Sequence, residues 1–230
     1  MSETIGVSPR DLIIVGTSLF GEIAHEYFTH DSSYNVVAFS VERDYLEEDE
    51  FRSLPVVPFE TLAETFEPTK HSIFVAVTYS QLNRTRTRLL DRAVELGFSP
   101  ASYISSSAFV WRNVTLGEHC FIFEDNTLQP FVTVGRNCVL WSGNHIGHHS
   151  RLGNNLFISS HVVISGSVSV GDNCFLGVNS TIVNDIEIGT DTWLGPGAVI
   201  TRSVDPNTMW RAPRSEMRDV STRQVLKVPE

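Results

Sequence analysis

Tyr103 to Val204, cut into sixes, reads YISSSA-FVWRNV-TLGEHC-FIFEDN-TLQPFV-TVGRNC-VLWSGN-HIGHHS-RLGNNL-FISSHV-VISGSV-SVGDNC-FLGVNS-TIVNDI-EIGTDT-WLGPGA-VITRSV. The second place of all seventeen hexads is Ile, Leu or Val, with no insertion or deletion across the 102 residues. An amphipathic helix repeats its apolar positions every 3.6 residues and a half-buried strand every 2, so neither carries a strict six. A fixed period of six marks a parallel β-helix, in which each hexad supplies a short strand and a corner. Three hexads close one coil, and coils stack at a strand spacing of about 4.8 Å. Each aliphatic second position then stacks inward on its equivalent one coil away.

Glycine recurs at the third place (Gly117, Gly135, Gly147, Gly153, Gly171, Gly177, Gly189 and Gly195). It is expected there at corners that need unusual backbone angles. Cys120, Cys138 and Cys174, the only cysteines, all occupy the sixth place of a hexad. They are expected as small buried hydrophobes on one inner ladder, without a disulfide or structural metal role.

The 102 residues before the array lack the frame. Leu12–Val15 reads as a buried strand, and Glu22–His30 as a helix. Tyr34–Ser40 and Ser72–Val77 read as strands, with a weaker strand at Val56–Val57. Phe59–Phe66 and Gln81–Leu96 read as helical. Alternating strands and helices imply a small parallel sheet with crossover helices. The expected organisation is a Rossmann-like α/β domain over 1–102, a parallel β-helix over 103–204, and a C-terminal cap over 205–230 that covers the last coil. No Gly- or Ser-rich linker separates the first two, so they are expected to be rigidly apposed.

A net charge of −10 with no basic face excludes nucleic acid as a partner class. No run of 18 apolar residues is present, so no membrane insertion is expected. The first residues, MSETIGVSPRD, have neither a basic nor an apolar leader pattern, and a cytoplasmic location is expected.

Two places could hold chemistry. Gly16-Thr17-Ser18-Leu19-Phe20-Gly21 lies between the first strand and first helix, where parallel sheets bind nucleotides and phosphates. It is neither a dinucleotide fingerprint nor a P-loop, and a tight glycine turn would look the same. Glu42 follows the second strand, where an acidic residue can meet a ribose hydroxyl, although it also opens an acidic run. Thr78 follows the strand read from Ser72, on the same sheet edge. The second place is the hexad HIGHHS. His148 and His149 occupy the corner positions of that hexad, and a corner imidazole can serve as general base. Its second ring nitrogen needs a partner, for which Glu124, Asp125, a backbone carbonyl or a group of an adjacent subunit could serve. His119 has no polar cluster around it in the sequence and is expected at the surface. His145 and His149 occupy different hexad positions and point different ways, so three histidines do not converge on a zinc ion and no metal is expected.

The order of a small nucleotide-binding region and an uninterrupted hexad array resembles the PglD/NeuD-like sugar acyltransferases, over almost the whole chain. NHIGHHSRLG (144–153) looks like the family's segment around its catalytic histidine, and FLGVNSTIV (175–183) and WLGPGAVI (193–200) look like the stretches lining its acetyl-CoA groove. The resemblance implies a left-handed β-helix, a homotrimer, and acetyl-CoA bound between adjacent β-helices. It implies N-acetylation of a nucleotide-linked amino sugar for surface-glycan biosynthesis of the lipopolysaccharide or O-antigen kind, with His148 as base beside His149 and Asn144. It implies acetyl-CoA contacts at Gly166, Val178 and Pro196, with Phe157 or His161 where the family has a second histidine. Gly16, Ser18, Leu19, Phe20, Gly21, Val41, Glu42 and Thr78 would hold the nucleotide sugar. His149 stands where the family usually has an acidic residue. An O-acyltransferase acting on a sugar hydroxyl, of the sialic-acid type, and a non-catalytic nucleotide-sugar-binding scaffold are the alternatives.

Overall fold

A computed structural model describes residues 10–217 and 219–229; most of the MSETIGVSPRD stretch read above for a leader pattern lies outside them. The N-terminal region is built from β1 (Arg10–Val15), α1 (Leu19–His30), β2 (Tyr34–Val41), β3 (Glu50–Phe51), β4 (Leu54–Pro58), α2 (Leu62–Thr65), β5 (His71–Val75), α3 (Arg84–Glu95) and β6 (Ser99–Pro100). Its sheet order is β3-β4-β2-β1-β5-β6, parallel except for the short β3–β4 pair. The chain leaves β1 for β2 on one side and returns to β5 on the other. The carboxyl ends of β1, β2 and β5 therefore open a crevice, the usual ligand position in such sheets.

Side chains of β1 alternate between two cores. Ile13 and Val15 pack with Ile73, Val75, Phe59 and Leu62, under Leu89, Leu90 and Ala93 of α3. Leu12 and Ile14 face α1, whose Phe20, Ala24 and Phe28 lie on one stripe. The same apolar cluster continues into Tyr103, Phe121, Phe123, Val139, Phe157 and Phe175 of the hexad array. One core thus runs through both regions, which explains why no flexible linker is needed.

Each hexad forms a two-residue strand at its first two places, and strands 18 residues apart pair in parallel register, as in Phe121↔Val139 and Thr127↔His145. Three such sheets make the faces of the left-handed β-helix. The second-place residues from Ile122 to Ile200 are 0–4% exposed and form one continuous core with Cys120, Cys138 and Cys174. At the open start of the array, Ile104 is still 43% exposed because no coil lies beneath it. At the other end Met209–Trp210 pairs with Trp193–Leu194, extending the first face beyond the frame.

The corners correct one expectation. Third-place glycines do not adopt a left-handed backbone. The left-handed residue is the fifth, at every hexad from His119 to Gly197. Asn, Asp, His and Gly tolerate that conformation best, and they fill most of these places. The third-place glycines answer a different need, close approach of neighbouring coils. A Cβ on Gly117 would lie 2.6 Å from the Arg136 nitrogen, and one on Gly147 would lie 2.5 Å from the Ser165 carbonyl carbon.

Candidate active site

The crevice at the sheet edge is a cleft of about 600 Å³ lined by Gly16, Thr17, Ser18, Val41, Glu42, Thr78, Gln81 and Arg88, among others. Five of the eight residues expected to hold a nucleotide sugar therefore converge there. The other three do not line it. Leu19 is exposed beside it, Phe20 is buried edge-on against Phe74 and Phe121, and Gly21 packs on the Gly16 carbonyl. Phe20 and Gly21 are thus structural: the first anchors α1 to the β-helix, and the second lets α1 start close under the loop. Gly16 has φ +119° and its amide donates to Ser40, so this position needs glycine.

Glu42 is not a freely solvated charge. Arg88 of α3 meets both its carboxylate oxygens at 2.8 and 2.9 Å, and this pairing holds its carboxyl below the usual carboxylate range. The loop after β5 is contorted: Gln81, Leu82 and Asn83 have φ of +51°, +49° and +67°. Successive left-handed non-glycine residues are costly, on the order of 1–2 kcal/mol each. Such strain persists where the surroundings hold it, often at functional sites.

On the β-helix, His148 and His149 project from the corner between the second and third faces, and both are exposed. Their Nδ1 atoms lie 3.1 Å apart, so one ring donates to the other. The His149 ring also stacks on Phe131, the equivalent corner residue one coil earlier, at 4.6 Å and 25°. The His148 amide donates to Gln129 Oε1. Gly166, one coil later at the same corner, gives the His148 ring its seat: a Cβ there would lie 2.6 Å from the ring Cε1. Glu124 is not the partner of His148. It accepts from Tyr27 at 2.7 Å and from Ser142 at 2.5 Å; burial, reinforced by the hydrogen bond to Glu124, pushes the Tyr27 hydroxyl up to about 12.

Asn144 is buried, and both ends of its amide serve the backbone, donating to the Trp141 carbonyl and accepting from the Val162 amide. It is a corner clamp, and the structure does not place it as a group that meets substrate. Phe157 is likewise committed. It is 3% exposed, stacked with Phe175 and packed under Tyr79. His161 is exposed, with its ring lying over Gly143, where a Cβ would approach Nδ1 to 2.6 Å. Val178 and Pro196 are exposed near later corners, and Pro196 borders a cleft with Arg211 and Arg214.

His119 overturns its expectation of exposure. It is 1% exposed, accepts from the Val75 amide through Nε2 at 2.8 Å, and lies 2.9 Å from Asn137 Oδ1 through Nδ1. That pairing fixes the Nδ1–H tautomer. Burial, reinforced by nearby Arg86, depresses its pKa to about 3. The signal in the sequence was its register: His119 begins the corner row continued by Asn137, Asn155 and Asn173. Asn137 donates to Asn155 at 2.9 Å and Asn155 to Asn173 at 3.2 Å. Among the described residues, no group of three His, Cys, Asp or Glu side chains could hold a metal ion, and no helix is long and apolar enough to cross a membrane.

Residues 167–202 match the model of the hexapeptide repeat of succinyl-transferase. Comparison with curated protein sequences returns no match. Among solved structures, PerB from Caulobacter crescentus, in complex with CoA and GDP-perosamine, is 25% identical, with a TM-score of 0.79 over 90% of this chain and 95% of that one. The acetyltransferase domain of PglB from Neisseria gonorrhoeae has the same fold at 20% identity, with a TM-score of 0.79 over 88% and 97%. A second structure of that domain holds acetyl coenzyme A (20% identity, TM-score 0.78, 89% and 97% covered). The repeat match and these likenesses give the chain the fold of the hexapeptide-repeat acyltransferases. The resemblance to PglD/NeuD-like nucleotide-sugar acyltransferases holds at the level of that fold, along nearly the whole chain.

Proposed function

We propose that the chain is an acetyl-CoA-dependent N-acetyltransferase acting on the amino group of a nucleotide-linked sugar, with His148 as general base. One observation carries the residue assignment. His148 has an exposed ring at a β-helix corner, its Nδ1 is occupied by His149, and its Nε2 has no partner among the described residues. For Nε2 to accept a proton, His148 must carry its hydrogen on Nδ1 and donate it to His149 Nδ1. His149 then plays the orienting part that a carboxylate commonly plays, without the full negative charge.

In this reading the sugar amine attacks the acetyl thioester carbonyl. A C–N bond forms as the C–S bond breaks. His148 Nε2 takes the amine proton and returns it to the CoA thiolate. The nucleotide lies in the cleft between Gly16, Glu42 and Thr78. PerB, bound to CoA and GDP-perosamine, supports both ligand classes. The exposed apolar row of Phe109, Val163 and Val199 supports assembly with further copies of the chain, and the proposed oligomer is a trimer that brings His148 to a neighbouring subunit's acetyl-CoA groove. A cytoplasmic place in surface-glycan synthesis belongs to the same reading.

The test is CoA release with acetyl-CoA and a panel of UDP-, dTDP- and GDP-linked amino sugars, matched hydroxy sugars and free sialic acid. Turnover is expected with a nucleotide-linked amine. Turnover only with hydroxyl acceptors replaces the N-acetyl reading by O-acetylation. A flat assay across the panel, with nucleotide binding intact, leaves a binding scaffold.

A further inference from the structure

Arg86 of α3 is fully buried, yet it pairs with no carboxylate among the described residues. Every acceptor it finds is neutral. Nε donates to Asn137 Oδ1 at 2.9 Å, and Nη2 donates to the carbonyls of Asn137 and Leu156 at 3.1 and 3.0 Å. These groups all belong to the β-helix. Nη1 turns the other way, to the carbonyls of Val77 and Thr78 at 3.2 and 2.8 Å and to Asn83 Oδ1 at 3.1 Å. A buried guanidinium without a counter-ion is expensive. A lysine could not reproduce this planar fork of five donors.

The loop on the receiving side is the one that lines the cleft. Thr78, Ser80 and Gln81 face it, and the left-handed run Gln81-Leu82-Asn83 closes the loop. Val77 packs on the core of the N-terminal sheet and the Asn83 carbonyl accepts from Thr87 of α3, while the middle of the segment meets the β-helix. Tyr79 rests on Phe157, Phe175 and Trp193, and Asn83 donates to the Cys174 carbonyl at 3.3 Å. These last partners all lie on the β-helix. The cleft wall is therefore positioned by the hexad array, although the cleft belongs to the N-terminal sheet.

We propose that Arg86 is a positioning residue for nucleotide-sugar binding: its guanidinium clamps the strained Val77–Asn83 loop to the Asn137 corner of the β-helix and so fixes the wall of the cleft. The inference rests on the reading of that cleft as the nucleotide site. It is specific in what it affects. The Thr78 side of the cleft depends on Arg86, whereas the His148 corner makes no contact with it.

The experiment compares wild type with Arg86→Lys and Asn83→Gly, the second tolerating φ +67° while removing the amide that Arg86 and Cys174 share. Calorimetric titration with UDP, GDP and dTDP, steady-state kinetics, and hydrogen exchange of Val77–Asn83 are read together. Arg86→Lys is expected to weaken nucleotide binding about tenfold or more and raise the nucleotide-sugar KM in parallel, with the acetyl-CoA KM within about twofold. Exchange in Val77–Asn83 rises while exchange in Asn144–Ser150 stays as in wild type. Asn83→Gly shows the same pattern at smaller size, and it decides the matter if Arg86→Lys does not fold. Unchanged nucleotide affinity and loop exchange in a folded variant, with only thermal stability lowered, overturns the proposal and leaves Arg86 as a structural pin. A wild type that binds none of the three nucleotides removes the cleft reading itself, and this inference with it.

Discussion

Two faces of the β-helix share one interior and have opposite exteriors. On the first face the outward first-place residues are Tyr103, Phe121, Val139, Phe157, Phe175 and Trp193; on the second they are Phe109, Thr127, His145, Val163, Thr181 and Val199. Its rings on the first face pack in two runs on either side of Val139, Tyr103–Phe121 and Phe157–Phe175–Trp193, with Phe175 and Trp193 3.8 Å apart, and the row is covered by α1 and the β5–α3 loop. The second row is largely uncovered within the chain, and its far corner presents His148 and His149. The six-residue frame folds the array, but a slower period of 18 decides which side docks and which side presents the histidine pair. Rigid docking on one side leaves that corner free on another.

The contrast can be broken from either side. The largest expected effect is on the open side. His148→Asn should lower turnover by about 10²–10⁴ with unchanged circular dichroism and melting temperature, because the ring is exposed. Near-wild-type turnover would remove the base assignment. Gly166→Ala sharpens the same point: its new Cβ meets the His148 ring, and displacing a catalytic group by about 1 Å can cost about 10²-fold. Retained kcat there would mean that the ring seat is unimportant.

On the covered side the effect falls on stability. Phe121 packs against Phe20, Phe28, Phe74 and Tyr103. Phe121→Ala should cost about 3–5 kcal/mol in urea unfolding. Thr127→Ala, at the equivalent place on the open face, should stay within about 0.5 kcal/mol. Similar losses from both would erase the difference between the faces.

The smallest effect is conditional on pH. Folded His119 stays neutral down to about 3, while the unfolded chain protonates it near 6.5. Stability from this residue is therefore complete above pH 6.5 and is lost as pH falls toward 3, by on the order of a few kcal/mol. His119→Asn keeps a residue suited to the left-handed corner and should flatten this part of the stability–pH curve between about pH 7 and about pH 5. Parallel curves for the two proteins would assign the acid sensitivity elsewhere.

The interior of the array was legible because stacking demands an aliphatic residue at one place in six, whatever its neighbours do. Cys120, Cys138 and Cys174 followed the same rule. The corner logic was half legible. The recurring glycines were visible, but close approach between coils and left-handed backbone favour the same residue, and only the coordinates separate the third place from the fifth. Gly16, Glu42 and Thr78 could be read together from their positions at strand ends. The family resemblance puts Phe20, Gly21 and Phe157 at ligands and Asn144 beside the base, yet packing commits them to the core and the backbone. Arg86 reads at first as one of several arginines between apolar positions, yet its spacing to Leu89, Leu90 and Ala93 puts it on the buried stripe of the helix, unlike the exposed Arg84 and Arg88; what the sequence hides is which carbonyls it meets there.

The sequence alone determined that residues 103–204 stack as a repeat, because a strict period of six leaves no other way to bury its aliphatic places. Tertiary structure decided what the repeat faces. Docking the β5 and α3 side of the N-terminal region against the β-helix buried His119 and Arg86, and it placed the wall of the cleft under the control of a distant corner. That coupling depends on contacts between residues 50 to 100 positions apart. No local pattern encodes such contacts, since their energy exists only after both regions have folded and met.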